Sequence, residues 1–202
     1  MQGFAIGDGW IHNRLNRFKV FAYTPEFADK IRGMLSQIKS EFRLTSFESK
    51  TTYRLTGTPE WRFEIGGEFA VENLNLGLLK SLEGLHFLAG LWDADGGWYR
   101  PDESHPFGQA KLFGNWHTIF TVKKAMRRRW NIMTGRMSIS TRVGHEAKIG
   151  DYVIVTRNNV YGTIVRTKSM DAWIQLVGDK LLLKGNDWNR SYQWRLRTHP
   201  GI

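Results

Sequence analysis

Leu88-Ala89-Gly90-Leu91-Trp92-Asp93-Ala94-Asp95-Gly96-Gly97 is an apolar helical stretch closed by an acid and two glycines. A shorter version, Gly3-Phe4-Ala5-Ile6-Gly7-Asp8-Gly9, stands at the start of the chain. The match continues downstream. Phe18-Lys19-Val20-Phe21-Ala22 and then Phe27 resemble Ala110-Lys111-Leu112-Phe113-Gly114 and then Phe120, and Glu60-Trp61-Arg62-Phe63-Glu64 is echoed by Gln193-Trp194-Arg195-Leu196-Arg197. Three echoes in one order argue for a duplicated unit.

The pattern between the echoes reads alike in each half. Residues 10–24 alternate around Asn13 to Asn16 as a hairpin does, and Pro25 opens an amphipathic helix through Phe27, Ile31, Met34, Leu35 and Ile38. Strands follow near 42–47 and 61–65, with 51–55 extending the sheet, and a helix over about 69–83 leads into the second motif. The second half repeats strands near 97–103 and 107–114, a helix over about 117–131 and a strand near 136–143. With Trp61 and Trp194 as counterparts, Asp8 to Trp61 spans 53 positions and Asp95 to Trp194 spans 99, leaving roughly forty-six extra residues in the second half. Most fall in 144–189, where the runs Asp151 to Thr156, Gly162 to Arg166, Ala172 to Val177 and Lys180 to Lys184 are separated by turn residues. The expected fold class is α+β: two pseudo-symmetric αββαββ(α) halves with antiparallel sheets, the first over 1–84, the second over 85–143 plus 190–202, and a small all-β insertion over 144–189.

With 202 residues, 41% of them apolar and 13% aromatic, the chain can bury a substantial core. It has no apolar run long enough to span a membrane and no N-terminal secretory pattern, so a soluble intracellular protein is expected. The absence of cysteine excludes disulfides and thiolate metal sites. A bound metal would rest on carboxylates, histidines or backbone oxygens, which favours a hard cation such as Mg²⁺. The six histidines form no pair at ligand spacing, and no glycine-rich phosphate loop is present. A net charge of +10 attracts polyanions and makes nucleic acid the first partner to consider. Residues 1–84 contribute +1 of it, 85–143 contribute +5 and 144–202 contribute +4.

Gly3 and Gly7 lie four apart on one helical face, as do Gly90 and Ala94. Small residues at that spacing form a helix interface that lets two backbones cross closely. Asp8 and Asp95 then end the two helices at one place. Two carboxylates there repel each other and oppose the negative helix ends unless a cation neutralises them, so the arrangement calls for divalent metal.

Leu88 to Gly97 resembles the signature of the LAGLIDADG homing endonucleases, with Trp92 at the family's isoleucine position. The first copy keeps the final acid as Asp8 and carries Ile6 where the signature has its earlier acid. The resemblance is to the single-chain, two-motif branch, and covers residues 1 to about 143 and 190–198. In that family the first helix begins several residues earlier than the counterpart of Gly3, so a shortened first helix or a natural start before Met1 is expected.

The resemblance implies a monomeric, site-specific endonuclease acting on double-stranded DNA at a long asymmetric site. Asp8 and Asp95 would be catalytic, each helping to cut one strand, and would hold Mg²⁺ together with the backbone oxygens of Gly7 and Ala94. Mn²⁺ would substitute, and Ca²⁺ would support binding without cleavage. Asp93, at the earlier acid of the signature, would cap or orient. Two sheets would form a saddle over the major groove. Lys19 and Lys111, at matched positions, lead the expected DNA contacts, followed by Arg14, Arg17, Arg43, Thr45, Tyr99, Arg100, Gln109, Ser138, Ser140 and Arg142. Lys123, Lys124, Arg127, Arg128 and Arg129 form a basic helix flank, either a solvated face or a phosphate contact. The inserted module would brace the sheet or touch DNA. The alternative within the same fold is an intron-RNA splicing helper or a DNA-binding regulator that does not cut.

Overall fold

The computed structural model describes residues 2–7, 9–12, 17–22, 25–37, 43–49, 60–66, 75–99, 109–149, 152–182 and 184. In the first half, helix α1 (Gln2–Gly7) leads into strands β1 (Trp10–His12) and β2 (Arg17–Ala22), helix α2 (Pro25–Gln37), and strands β3 (Arg43–Ser49) and β4 (Glu60–Gly66). In the second, helix α3 (Gly84–Asp95) leads into β5 (Gly96–Tyr99), β6 (Gln109–Gly114), helix α4 (Trp116–Trp130), β7 (Ser138–Thr141), β8 (Glu146–Ile149), β9 (Tyr152–Val155), β10 (Val160–Ile164) and helix α5 (Met170–Leu176). The architecture is mixed α+β with antiparallel sheets, ordered β1-β2-β4-β3 and β5-β6-β10-β7.

Period-two burial sets the faces of the strands. Val20 and Ala22 on β2, and Ala110 and Leu112 on β6, are fully buried, while Lys19 and Lys111 are half-buried on the opposite face. Ala110 and Leu112 join the second-half core with Leu88, Leu91 and Trp92 of α3, Ile119, Val122 and Met126 of α4, and Trp173 and Ile174 of α5. The Trp173 ring lies parallel to Trp98 at 6.1 Å and tilted against Trp92 at 5.0 Å. The bounds of α4 are chemically marked. Asn115 accepts a hydrogen bond from the Thr118 amide at 2.9 Å, Asn131 takes a left-handed conformation at φ 53°, and Ile132 N–H returns to the Met126 carbonyl at 3.0 Å.

Part of the expected organisation is corrected. The described residues of 144–189 do not make a separate all-β module. β10 is the third strand of the second sheet, pairing with β6 (Leu112 opposite Thr163) and with β7. Ala172 to Val177, expected as a strand, falls within and just after helix α5, because Met170, Trp173, Ile174 and Val177 recur at helical spacing and bury themselves in the core. Only β8 and β9 form a sheet of their own, a two-stranded hairpin between β7 and β10. Before α3, Leu76–Lys80 is a 3-10 turn capped by Asn75 rather than α-helix. The expected strand at 51–55 and the Trp194 echo lie outside the described residues.

Candidate functional site

Helices α1 and α3 cross with almost no side chain between them. A β-carbon on Gly3 would collide with the Phe87 carbonyl and stand 2.7 Å from the Leu91 amide nitrogen. One on Gly90 would stand 3.0 Å from the Phe4 amide nitrogen. At the far end of the crossing, a β-carbon on Gly7 would overlap that of Ala94 and lie 3.0 Å from Asp95 Oδ2. The four small residues singled out in the sequence therefore line the crossing. The Asp95 carboxylate lies against the last residue of α1. Asp8, the next residue in the chain, lies outside the described residues.

Asp95 is half-buried and closes α3, whose final carbonyls carry the negative end of the helix. Lys184 meets that charge. Its ammonium donates to the carbonyls of Trp92 at 3.3 Å and Ala94 at 2.9 Å, and also to that of Gly96. Asp93, 4% exposed, accepts from the Leu182 amide at 2.7 Å and the Lys184 amide at 3.1 Å. Asp93 thus orients Leu182 and Lys184, and Lys184 in turn caps the helix beside Asp95. Lys184 was absent from the sequence-derived residues. These contacts span 88 to 92 positions, and no local pattern announces them.

The donors available at this point are a carboxylate and backbone oxygens, which suit a hard divalent cation. The Ala94 carbonyl is shared with Lys184, although a carbonyl keeps a second lone pair. Among the described residues no three His, Asp or Glu side chains gather as a metal cluster.

The two matched lysines occupy the same register. Lys19 stands opposite Trp10, and Lys111 opposite Gly97, in each case the residue two after the motif acid. Beyond them the halves differ: β4 places Glu64 opposite Lys19, and β10 places Ile164 opposite Lys111. Lys111 Nζ lies 4.0 Å from the centroid of the Tyr99 ring, and Tyr99 is paired with Gln109 on the same face. Ser138, Ser140 and Arg142 are exposed on and just beyond β7. Arg17, Arg43 and Thr45 fall within β2 and β3, while Arg14 and Arg100 lie outside the described residues.

Comparison with solved structures finds this fold again. A mesophilic variant of the homing endonuclease I-DmoI superposes with a TM-score of 0.56 at 10% identity, over 94% of each chain. A second I-DmoI variant, in complex with its target DNA in the presence of Mg, gives 0.53 at 9% identity, over 87% of this chain and 92% of that one. Full-length DUF199/WhiA from Thermatoga maritima gives 0.54 at 12% identity, over 96% of this chain and 58% of that one. The fold is the LAGLIDADG fold. No family model and no curated protein sequence matches the chain. No helix among the described residues is long and apolar enough to cross a membrane.

Proposed function

We propose that this protein is a site-specific double-strand DNA endonuclease, working as a monomer with divalent metal at the ends of α1 and α3. The observation that carries the reading is the seating of the Asp95 carboxylate against Gly7, so that the acid-bearing ends of both motif helices converge. Pure binding of a polyanion gives no reason to place carboxylates there. Solved I-DmoI structures with target DNA and Mg or Mn support the same substrate and cofactor class.

Asp8 and Asp95, with the Gly7 and Ala94 carbonyls, would hold the cation. When bound, a divalent metal activates water and stabilises charge on the phosphate. Lys184 offsets the negative end of α3 and fixes the angle at which Asp95 is presented. Lys19, Lys111, Tyr99 and Gln109, on the strand faces turned away from the helices, would meet the duplex, with the other polar strand residues and Arg142 extending the contact. Lys19→Ala and Lys111→Ala should each reduce the salt slope of duplex binding by about one unit if the lysines meet phosphate.

A second reading, a nucleic-acid binder of this fold that does not cut, is favoured by Lys184 itself, since an ammonium already sits on the Ala94 carbonyl. The deciding experiment incubates the protein with a pool of long random duplexes in Mg²⁺ and in Ca²⁺ and sequences the ends. Discrete ends with Mg²⁺ alone support the nuclease. Retained, uncut duplex in both supports the binder.

A further inference from the structure

Helix α4 carries a second feature on the far side of the second sheet. Trp116 and Phe120, one turn apart, are 49% and 46% exposed, and their rings stack at 4.9 Å with planes 7° apart. Exposing two large aromatic rings is costly for a helix whose inner face already fills the core through Ile119, Val122 and Met126. The same outward arc continues with Lys124, Arg127 and Arg128, at the three- and four-residue spacing that keeps side chains on one face. These cations, with Arg166 two residues past β10, Phe120 and Met133, line an open cavity of about 650 Å³ whose lining contains no carboxylate.

Lys123 forms the cavity's inner wall. Its ammonium donates to Thr134 Oγ1 at 3.0 Å and Thr163 Oγ1 at 3.3 Å, and to the Gly135 carbonyl. Burial, and then the charge of Arg166, hold its pKa below the usual lysine range. Thr163 pairs with Leu112 on the helix side of the sheet, whereas Lys111 and Tyr99 occupy the other side. The cavity is therefore separate from the proposed duplex surface.

We propose that this face of α4 binds an unpaired nucleic-acid strand, with one base continuing the Trp116–Phe120 stack and the following phosphates entering the cavity among Lys124, Arg127, Arg128 and Arg166. Flat aromatic faces beside a cationic groove are what single strands require, because every base offers a π face and every linkage a negative charge. A duplex hides its base faces, so it gains only the charge. Stacking on a π face and pairing with phosphate do not depend on a 2′-hydroxyl, so ribo- and deoxyribo-oligomers should bind alike. The proposal does not depend on cleavage in the groove.

The test titrates the full chain with fluorescein-labelled dT₁₅ and rU₁₅, measuring anisotropy with and without excess unlabelled duplex in Ca²⁺. Both oligomers are expected to bind, and to stay bound when duplex is added. Trp116→Ala should weaken both by roughly five- to a hundredfold, the range that one base-aromatic stack supplies. The double variant Arg127→Ala/Arg128→Ala should lower the salt slope by about 1.4, at about 0.7 per lost phosphate. All these side chains project from the outer face of α4, and an unchanged melting curve confirms the fold. Displacement of the oligomers by duplex, loss of their binding in Lys111→Ala, or affinity of the α4 face for anionic phosphatidylserine vesicles but not for oligomers would each overturn the proposal.

Discussion

From the motif acid to the first residue of its third-ranked strand, the first half takes 52 positions, Asp8 to Glu60, and the second takes 65, Asp95 to Val160. Five of the thirteen extra positions precede the matched lysine, since Lys19 lies 11 after Asp8 and Lys111 lies 16 after Asp95, and the other eight fall in the stretch that carries the β8–β9 hairpin at 146–155. Strand order is otherwise the same in both sheets, and in both a lysine stands opposite the residue two after the acid. What differs is the filling. In the second half α3, α4 and α5 enclose Trp92, Trp98 and Trp173, while in the first α1 rests on α2 through Phe4 and Phe27, 5.3 Å apart. The difference teaches that the strand pairing next to the motif is kept in both halves, whereas the lengths of the β-connections and the core behind the sheet are not.

The largest expected effect tests the shared feature. Asp95→Asn should lower DNA cleavage at least about a hundredfold while duplex affinity in Ca²⁺ holds or rises, as measured on a site recovered from the random pool. If affinity collapses along with cleavage, the acid is holding α3 together and the two motif ends are structural.

Next comes the contrast in filling. Trp173→Ala removes a fully buried ring and should cost about 3–5 kcal/mol in urea unfolding. Because α1 packs directly on α3, the loss should appear as one earlier transition. Two transitions would mean that the halves unfold independently.

The crossing itself can be probed with a pair of substitutions. Gly3→Ala drives a methyl into the Phe87 carbonyl and should destabilise by more than about 1–3 kcal/mol, since backbone rather than a side chain must yield. Gly33→Ala, on the exposed face of α2 with nothing within 4 Å, should stabilise by about 0.4–1 kcal/mol. A similar gain from both would show that helix propensity, not close approach, governs the first half.

The smallest effect concerns the hairpin. Most of its described side chains are exposed, and its base is closed by hydrogen bonds between Gly144, His145 and Thr156. Replacing 145–156 by a short glycine turn should change stability by no more than about 1 kcal/mol, because loop length enters only logarithmically. A larger loss in thermal unfolding would make the hairpin part of the second half's core structure.

How much of this could be read from the chain follows from the range of the interactions. The motif helices, the glycine spacing and the Lys19–Lys111 match depend on neighbours a few residues apart, and the chain displays them directly. The place of β10 depends on pairing with β6, about fifty positions away, and the aromatic-arginine echo at Trp194 drew the comparison to a different segment. Helix α5 was legible in principle. Its β-branched and aromatic residues suggest strand by propensity, but Met170, Trp173, Ile174 and Val177 keep helical spacing, and burial followed the spacing. The bonds from Asp93 and Lys184 left no local trace at all.

The contact between Lys184 and the end of α3 bears on how the protein is made. A six-residue helix such as α1 is unstable alone and needs α3 to lean on. The last turn of α3 in turn acquires its counter-charge only once residue 184 has emerged from the ribosome, some ninety residues after the turn itself. A growing chain can therefore fold its first sheet early, but it does not finish the acidic end of α3 until residue 184 has been made. The order of translation thus sets when the end of the motif helix is complete.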